Sequence, residues 1–229
     1  MSFKNFLNDG STESEFLTKF GKGKNLKPFK KEIETGLISY SLYNASTKEA
    51  KQVMGDVKAA DFKSGEIDEF LTRSAIYAVR ILRRLNVDII VTPVSSSDLT
   101  KEFVKRIAKR THYDVYIDSF KKQPDISKIE IDREHPKITN AIIKSMESII
   151  KNAIKKGNLS VRMFSPMHRK FIKNMFDITD PKLLSKFDGK NVVIIDDIMT
   201  SGTSAKNIYN VLVTNGATSV DALTIFKSA

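Results

Sequence analysis

The stretch NVVIIDDIMTSGTS, Asn191 to Ser204, sets an unbroken apolar run against two adjacent carboxylates and then a glycine flanked by hydroxyls. Val192–Ile195 has no polar alternation, so it predicts a strand buried on both faces, as in a parallel sheet with helices above and below. Ligands of such sheets lie outside the carboxyl ends of the strands, which is where Asp196 and Asp197 fall. The TSGTS that follows leads into helical spacing from Ser204 to Asn215, with Ile208, Val211 and Leu212 inward and Gly216 as the stop. A tight loop before a helix N-terminus aims backbone N–H groups and the positive end of the helix dipole at one point, which suits a phosphate. Gly202 lets the backbone come close, and Thr200, Ser201, Thr203 and Ser204 add hydroxyl donors. The two carboxylates suit neighbouring hydroxyls or a hydrated Mg²⁺ instead. Phosphate at one end and a diol at the other describe a ribose 5-phosphate. The plainer alternative is a turn with Asp and Ser as helix caps, but capping needs one such residue rather than this series.

Outward from this stretch, the chain alternates strands and helices. LISYSLYN (Leu37–Asn44) predicts a strand, and Glu66 to Leu85 an amphipathic helix on Ile67, Phe70, Leu71, Ala78, Ile81, Leu82 and Leu85. VDIIVTPV (Val87–Val94) predicts a buried parallel strand. A helix on Leu99, Phe103, Ile107 and Ala108 follows, then a second strand over Tyr113–Phe120, which completes a βαβ unit. Lys121–Lys137, with Pro124 and Pro136, predicts a long mobile loop. Ile138, Ile142, Met146, Ile149, Ala153 and Ile154 predict a helix to Gly157. SVRMFSP (160–166) is expected to be a strand, Asp188–Gly189 a turn and Ser219–Phe226 the last strand. Residues 1–35, polar and lysine-rich, read as a loosely packed arm or short helices.

The 229 residues suffice for one large domain with a sizeable core. Cysteine is absent, which excludes disulfides, thiolate zinc sites and a cysteine nucleophile and accords with a reducing cytoplasm. No apolar run approaches the ~20 residues of a membrane span, and the N-terminus has no signal-peptide hydrophobic segment, so a soluble cytoplasmic protein is expected. Lys and Arg number 38 against 27 Asp and Glu, a net charge of +11. That excess fits a lysine-rich surface, a phosphate-rich small substrate or nucleic acid. The densest cluster, Lys19–Glu32, has no aromatic ladder or nucleic-acid module around it, so nucleic acid is the disfavoured partner.

VVIIDDIMTSGTS resembles the phosphoribosyl pyrophosphate (PRPP) signature of type I phosphoribosyltransferases, and every position from Val192 to Ser204 fits it. The resemblance implies an open, mostly parallel α/β sheet: an N-terminal extension or hood over 1–85, a compact core over 86–229 and an insertion at about 121–157 carrying an extra helix. It implies transfer of ribose 5-phosphate from PRPP to a nitrogen acceptor with release of pyrophosphate. Asp196 and Asp197 would hold the ribose 2- and 3-hydroxyls, directly or through metal-bound water, and residues 200–204 the 5-phosphate. Val94, Ser95, Ser96 and Ser97, after an early strand, would hold the pyrophosphate carried by Mg²⁺. A mobile loop of the family brings cations to the transition state. Lys121, Lys122 and Arg133 are in one stretch that could supply it, and His168, Arg169 and Lys170 in a rival stretch.

Because the chain ends just after the strand that follows the phosphate loop, the hood is expected from the N-terminal region, as in orotate-type and ComF-like members. LYNASTKEAKQVMGDVKAADF and MHRKFIKNMF are similar to ComF-like segments, but the cysteine zinc finger common there is missing. Thr200 stands where hypoxanthine–guanine enzymes place an Asp, and Thr203 where they usually have Lys. The resemblance thus favours a pyrimidine, adenine, nicotinamide-like or amine acceptor. The helix over Ile138–Lys156 either reshapes the acceptor site or forms a homodimer face. A second reading is a non-catalytic PRPP sensor that regulates nucleic-acid binding or protein assembly; it would bind PRPP and turn over no base. The chain is short for a PRPP synthetase relative, the third reading.

Overall fold

The computed structural model describes residues 28–45, 54–55, 57, 65–95, 97–157, 163–165 and 167–227. The described strands are β1 (Phe29–Glu34), β2 (Leu37–Asn44), β3 (Ile89–Pro93), β4 (Asp114–Lys122), β5 (Glu130–Ile131), β6 (Ile172–Lys173), β7 (Phe176–Ile178), β8 (Asn191–Met199) and β9 (Ser219–Lys227). Among the described residues, the α-helices with full bounds are α1 (Gly65–Arg84), α2 (Leu99–Ala108), α3 (Asn140–Lys156) and α4 (Thr203–Thr214). Seven strands form one open sheet in the order β1-β2-β9-β8-β3-β4-β7. The five inner strands are parallel and only the edges, β1 on β2 and β7 on β4, run antiparallel. The fold is therefore the mostly parallel open α/β sheet that the sequence predicts.

Apolar runs without alternation put side chains on both faces of these strands. Val193 and Ile195 of β8 join Ile90, Leu223 and Ile225 in a core closed by α1 and α2. Val192 and Ile194 join Ile89, Val91 and Ala222 in a second core closed by α3, α4 and Phe164, Phe171 and Phe187. Helix α3 ends at Gly157, whose φ of 63° is the left-handed cap that glycine adopts without a Cβ penalty. Among the described residues no helix is long and apolar enough to cross a membrane.

Several boundaries differ from expectation. Part of the arm over 1–35 is strand β1, hydrogen-bonded to β2; residues 1–27 lie outside the described residues. The stretch 121–137 is not one long loop: β4 runs on to Lys122, a 3-10 turn spans Ile126–Lys128, and β5 pairs with β6 in a separate two-stranded sheet. Its proline content broke the pattern, while the pairing partner lies some forty positions on. Residues 163–165 form no strand, and 160–162 and 166 lie outside the described residues. Strand β8 continues past Ile195 to Met199, because β9 goes on pairing with it as far as Met199↔Lys227.

One inner-sheet carboxyl carries a pH signature. Half-burial raises the Asp221 carboxyl above its ordinary value, opposed by the Ile38 backbone N–H and by Lys30. Burial, aided by the Asp221 charge, likewise raises the Tyr40 hydroxyl. For Asp221 the folded-state value exceeds the unfolded one, so the stability tied to this group is complete below the unfolded value. It is lost as pH rises through the folded value. Asp221→Asn is thus expected to raise stability at pH 7, by less than about 1 kcal/mol because the carboxyl keeps some solvent. The gain should vanish toward pH ~4. Thermal melts of both proteins across pH 4–8 check this; a gain that persists unchanged in acid contradicts it.

Candidate functional site

The chain leaves β3 through α2 to reach β4 on one side, and leaves β8 through α4 to reach β9 on the other. The two helices lie on opposite faces. Neighbouring strands β3 and β8 therefore form the topological switch point of the sheet, where a crevice opens beyond the carboxyl ends. Their pairing runs Ile89↔Val192, Ile90↔Val193 and Val91↔Ile194 and stops there. Asp196 and Asp197 come just past the last of these pairs, on the part of β8 that only β9 supports.

The loop after β3 meets these carboxylates. Ser97 Oγ donates to Asp197 Oδ2 at 3.4 Å across a separation of 100 residues. Asp197 is only 6% exposed, and its backbone N–H donates to Asp196 Oδ1 at 2.8 Å. Within the loop, Ser97 N–H donates to Ser95 Oγ at 3.3 Å. Val94 is half exposed, and Ser96 lies outside the described residues. Beside the loop, Lys101 in the first turn of α2 pairs with Asp118 at 2.9 Å. That hydrogen bond and charge hold the Lys101 ammonium above its ordinary value. Asp118 sits at φ 54°, where β4 shifts register against β3 and its N–H donates to Thr92 Oγ1.

Past β8, the chain turns into α4 through Thr200–Gly202. Gly202 is the N-cap at φ 83°, without a side-chain cap bond. The first-turn N–H groups therefore face the loop without a capping side chain at position 202. Ser201 and Thr203 hydroxyls share a hydrogen bond of 2.9 Å. A Cβ at position 202 would lie 2.8 Å from Ile33 Cγ2. Ile33 is the residue by which β1 bulges between Glu32 and Glu34, so the bulge re-aims its side chain at the loop. Next along, Glu34 takes Lys206 at 3.1 Å, and Tyr209 OH donates to the Thr35 carbonyl at 3.3 Å. The β1–β2 hairpin thus braces the whole first half of α4.

A cavity of about 80 Å³ lies at this loop, lined by Asp196, Thr200, Ser201, Gly202, Thr203 and Ser204, with Ile194, Ala222 and Thr224 below. Arg169 lines it too. Arg169 follows from the chain's return across the site: a 3-10 turn over Arg169–Phe171 leads into β6 and then a corner at Asn174, φ 59°. Asn207 of α4 pins that corner: its Oδ1 accepts from Met175 N–H at 2.9 Å, and its Nδ2 donates to the carbonyls of Ile172 and Thr203, both at 3.0 Å.

The other cations named from the sequence stand elsewhere. Lys121 and Lys122 are exposed on β4 opposite Asp177 and Phe176 of β7. Arg133 pairs with Glu147 of α3 beside a groove between α3 and β5. His168 stands at the N-cap position of the turn that begins at Arg169, without a side-chain cap bond, and Lys170 Nζ lies 4.8 Å from the centre of the Phe171 ring. Sequence reasoning missed Ile33 and Asn207. A polar residue beside Ile208 on the apolar face of α4 was the available signal for Asn207.

Among the described residues no three His, Cys, Asp or Glu side chains gather to hold a metal. Asp196 and Asp197 supply hard oxygen donors, which fit Mg²⁺ when most of its shell comes from substrate phosphates and water.

No family model matches the chain, and no curated protein matches it. Among solved structures it is similar to a hypoxanthine phosphoribosyltransferase from Staphylococcus aureus (TM-score 0.39, 15% identity, 69% of this chain and 64% of that one). It is also similar to a hypoxanthine-guanine phosphoribosyltransferase from Bacillus anthracis (0.39, 14%, 69% and 66%). A third is a purine phosphoribosyltransferase from Pyrococcus horikoshii (0.36, 12%, 69% and 81%). The chain spans just under two thirds of the length of the first two.

Proposed function

We propose that this chain binds PRPP and transfers its ribose 5-phosphate to a nitrogen acceptor, releasing pyrophosphate. One observation carries the reading: the loop after β3 touches the carboxylate pair of β8 through Ser97 and Asp197, beside a cavity lined by the hydroxyl-rich loop 200–204. A ligand with phosphate at one end, a diol in the middle and pyrophosphate at the other matches that sequence of surfaces.

In this reading, Thr200–Ser204 hold the 5-phosphate through backbone N–H groups and hydroxyls. Asp196 and Asp197 accept from the ribose hydroxyls. Val94–Ser97 hold the pyrophosphate, chiefly through their serine hydroxyls. Mg²⁺, when bound, supplies charge neutralisation at the leaving group. The C1–oxygen bond to pyrophosphate breaks and its electron pair leaves with that group, while the acceptor nitrogen bonds to C1 and gives up its proton. The transition state resembles an oxocarbenium ion, so the chain's main contribution is orientation in a prepaid geometry. Thr200, in place of an Asp, favours an acceptor other than hypoxanthine or guanine.

The test is isothermal titration of the chain with PRPP and Mg²⁺, followed by a screen of bases and amines for pyrophosphate release. Micromolar binding and release with one acceptor are expected. No binding overturns the reading, and binding with no turnover on any acceptor assigns the site to PRPP sensing instead.

A further inference from the structure

We infer that Arg169 is a phosphate-binding residue at the 5-phosphate end of the site, not a cation for the leaving pyrophosphate; the inference rests on the PRPP reading above. Arg169 belongs to a segment remote in sequence from the loop, yet it lines the same cavity as Thr200–Ser204. Its Nε donates to the Phe164 carbonyl at 3.1 Å, which fixes the guanidinium plane and leaves the two terminal nitrogens as donors. Among the described residues it has no ion-pair partner, whereas Arg106, Arg133, Lys101, Lys173 and Lys206 are each matched to a carboxylate. Asp196 lines the same cavity but forms no ion pair with Arg169, so an anion that reaches the terminal nitrogens would complete a half-buried guanidinium.

The surrounding structure holds this arrangement in place. Phe164 and Phe171, on either side of Arg169, are each 1% exposed. Asn207 bonds the corner that follows Arg169 to the Thr203 carbonyl in the first turn of α4. The arginine and the loop are therefore fixed to one another through a buried amide, the support that a bidentate phosphate contact requires. Ser97, in the loop read as the pyrophosphate end, touches Asp197, and neither residue lines the cavity that Arg169 shares with Thr200–Ser204.

The experiment is titration of the full chain with two probes separately, ribose 5-phosphate and Mg²⁺-pyrophosphate, for the parent, Arg169→Gln, Arg169→Lys and Arg133→Gln. Thermal melts show whether each variant is folded. Loss of a charge-assisted pair predicts that Arg169→Gln weakens ribose 5-phosphate by about tenfold to a hundredfold. Pyrophosphate should change by less than about twofold, the Lys variant should recover part of the affinity, and Arg133→Gln should match the parent. Unchanged ribose 5-phosphate affinity in Arg169→Gln overturns the assignment. So does an equal loss for both probes, or the same loss in Arg133→Gln, which would mark a net-charge effect. If the parent binds neither ribose 5-phosphate nor PRPP, the reading of the site falls first, and that outcome needs no variant to recognise.

Discussion

The double variant Asp196→Asn, Asp197→Asn is expected to stay folded and to lose PRPP by about a hundredfold or more, taking each lost hydrogen bond to a charged acceptor at roughly 1.5–3 kcal/mol. The sign makes this discriminating. PRPP is a polyanion, so removing two negative charges from the proposed site would by Coulomb attraction alone strengthen binding. A loss can come only from contacts the carboxylates themselves make to hydroxyls or to a hydrated cation. The fold should tolerate the change, since an Asn at 197 still offers Ser97 Oγ an acceptor and an Asn at 196 still offers one to the next N–H. Titration with PRPP and Mg²⁺ measures the affinity, and a melt run alongside verifies folding. An affinity equal to or above the parent's would remove the carboxylates from the site.

Asn207→Ala is expected to cost about 3 kcal/mol of stability, from orphaning the buried Met175 N–H and the Ile172 carbonyl at roughly 1–3 kcal/mol each with partial relaxation. Asn207 is 3% exposed and satisfies three groups with one side chain. Water cannot easily replace it, because Ile172 and Met175 are themselves 1% and 2% exposed. For a chain of this size the melting temperature should fall by roughly 6–12 °C. Asn207→Asp should be worse still, since a carboxylate keeps the Met175 bond but has no donor for the two carbonyls. Urea unfolding gives the free energy. A loss below about 1 kcal/mol would mean that the corner is held by other contacts.

The sheet was legible because its inner strands and covering helices announce themselves over five to twenty residues, long enough for a period to emerge. Strands β5, β6 and β7 were not, at two or three residues each. They exist because a partner strand stands beside them, and a partner is invisible to a local pattern. The same contrast divides the site. Asp196 through Ser204 suggest a ligand site from sequence because the candidate residues sit in one contiguous stretch. Arg169 could be named only as one cation among several, since what separates it from Lys121 or Arg133 is a tertiary corner held by Asn207. Ile33 gave no signal at all: it is an ordinary isoleucine whose importance comes from a bulge in an edge strand.

Ile33 occupies the space that a side chain at 202 would need. Positions 33 and 202 are therefore expected to vary together across descent. Even an alanine at 202 would demand a shorter residue at 33 and would still be strained at φ 83°. A smaller residue at 33 beside the existing glycine would instead open a void under the loop. The outermost strand, three places from β8 in the sheet, thus constrains which substitutions the loop after β8 can inherit.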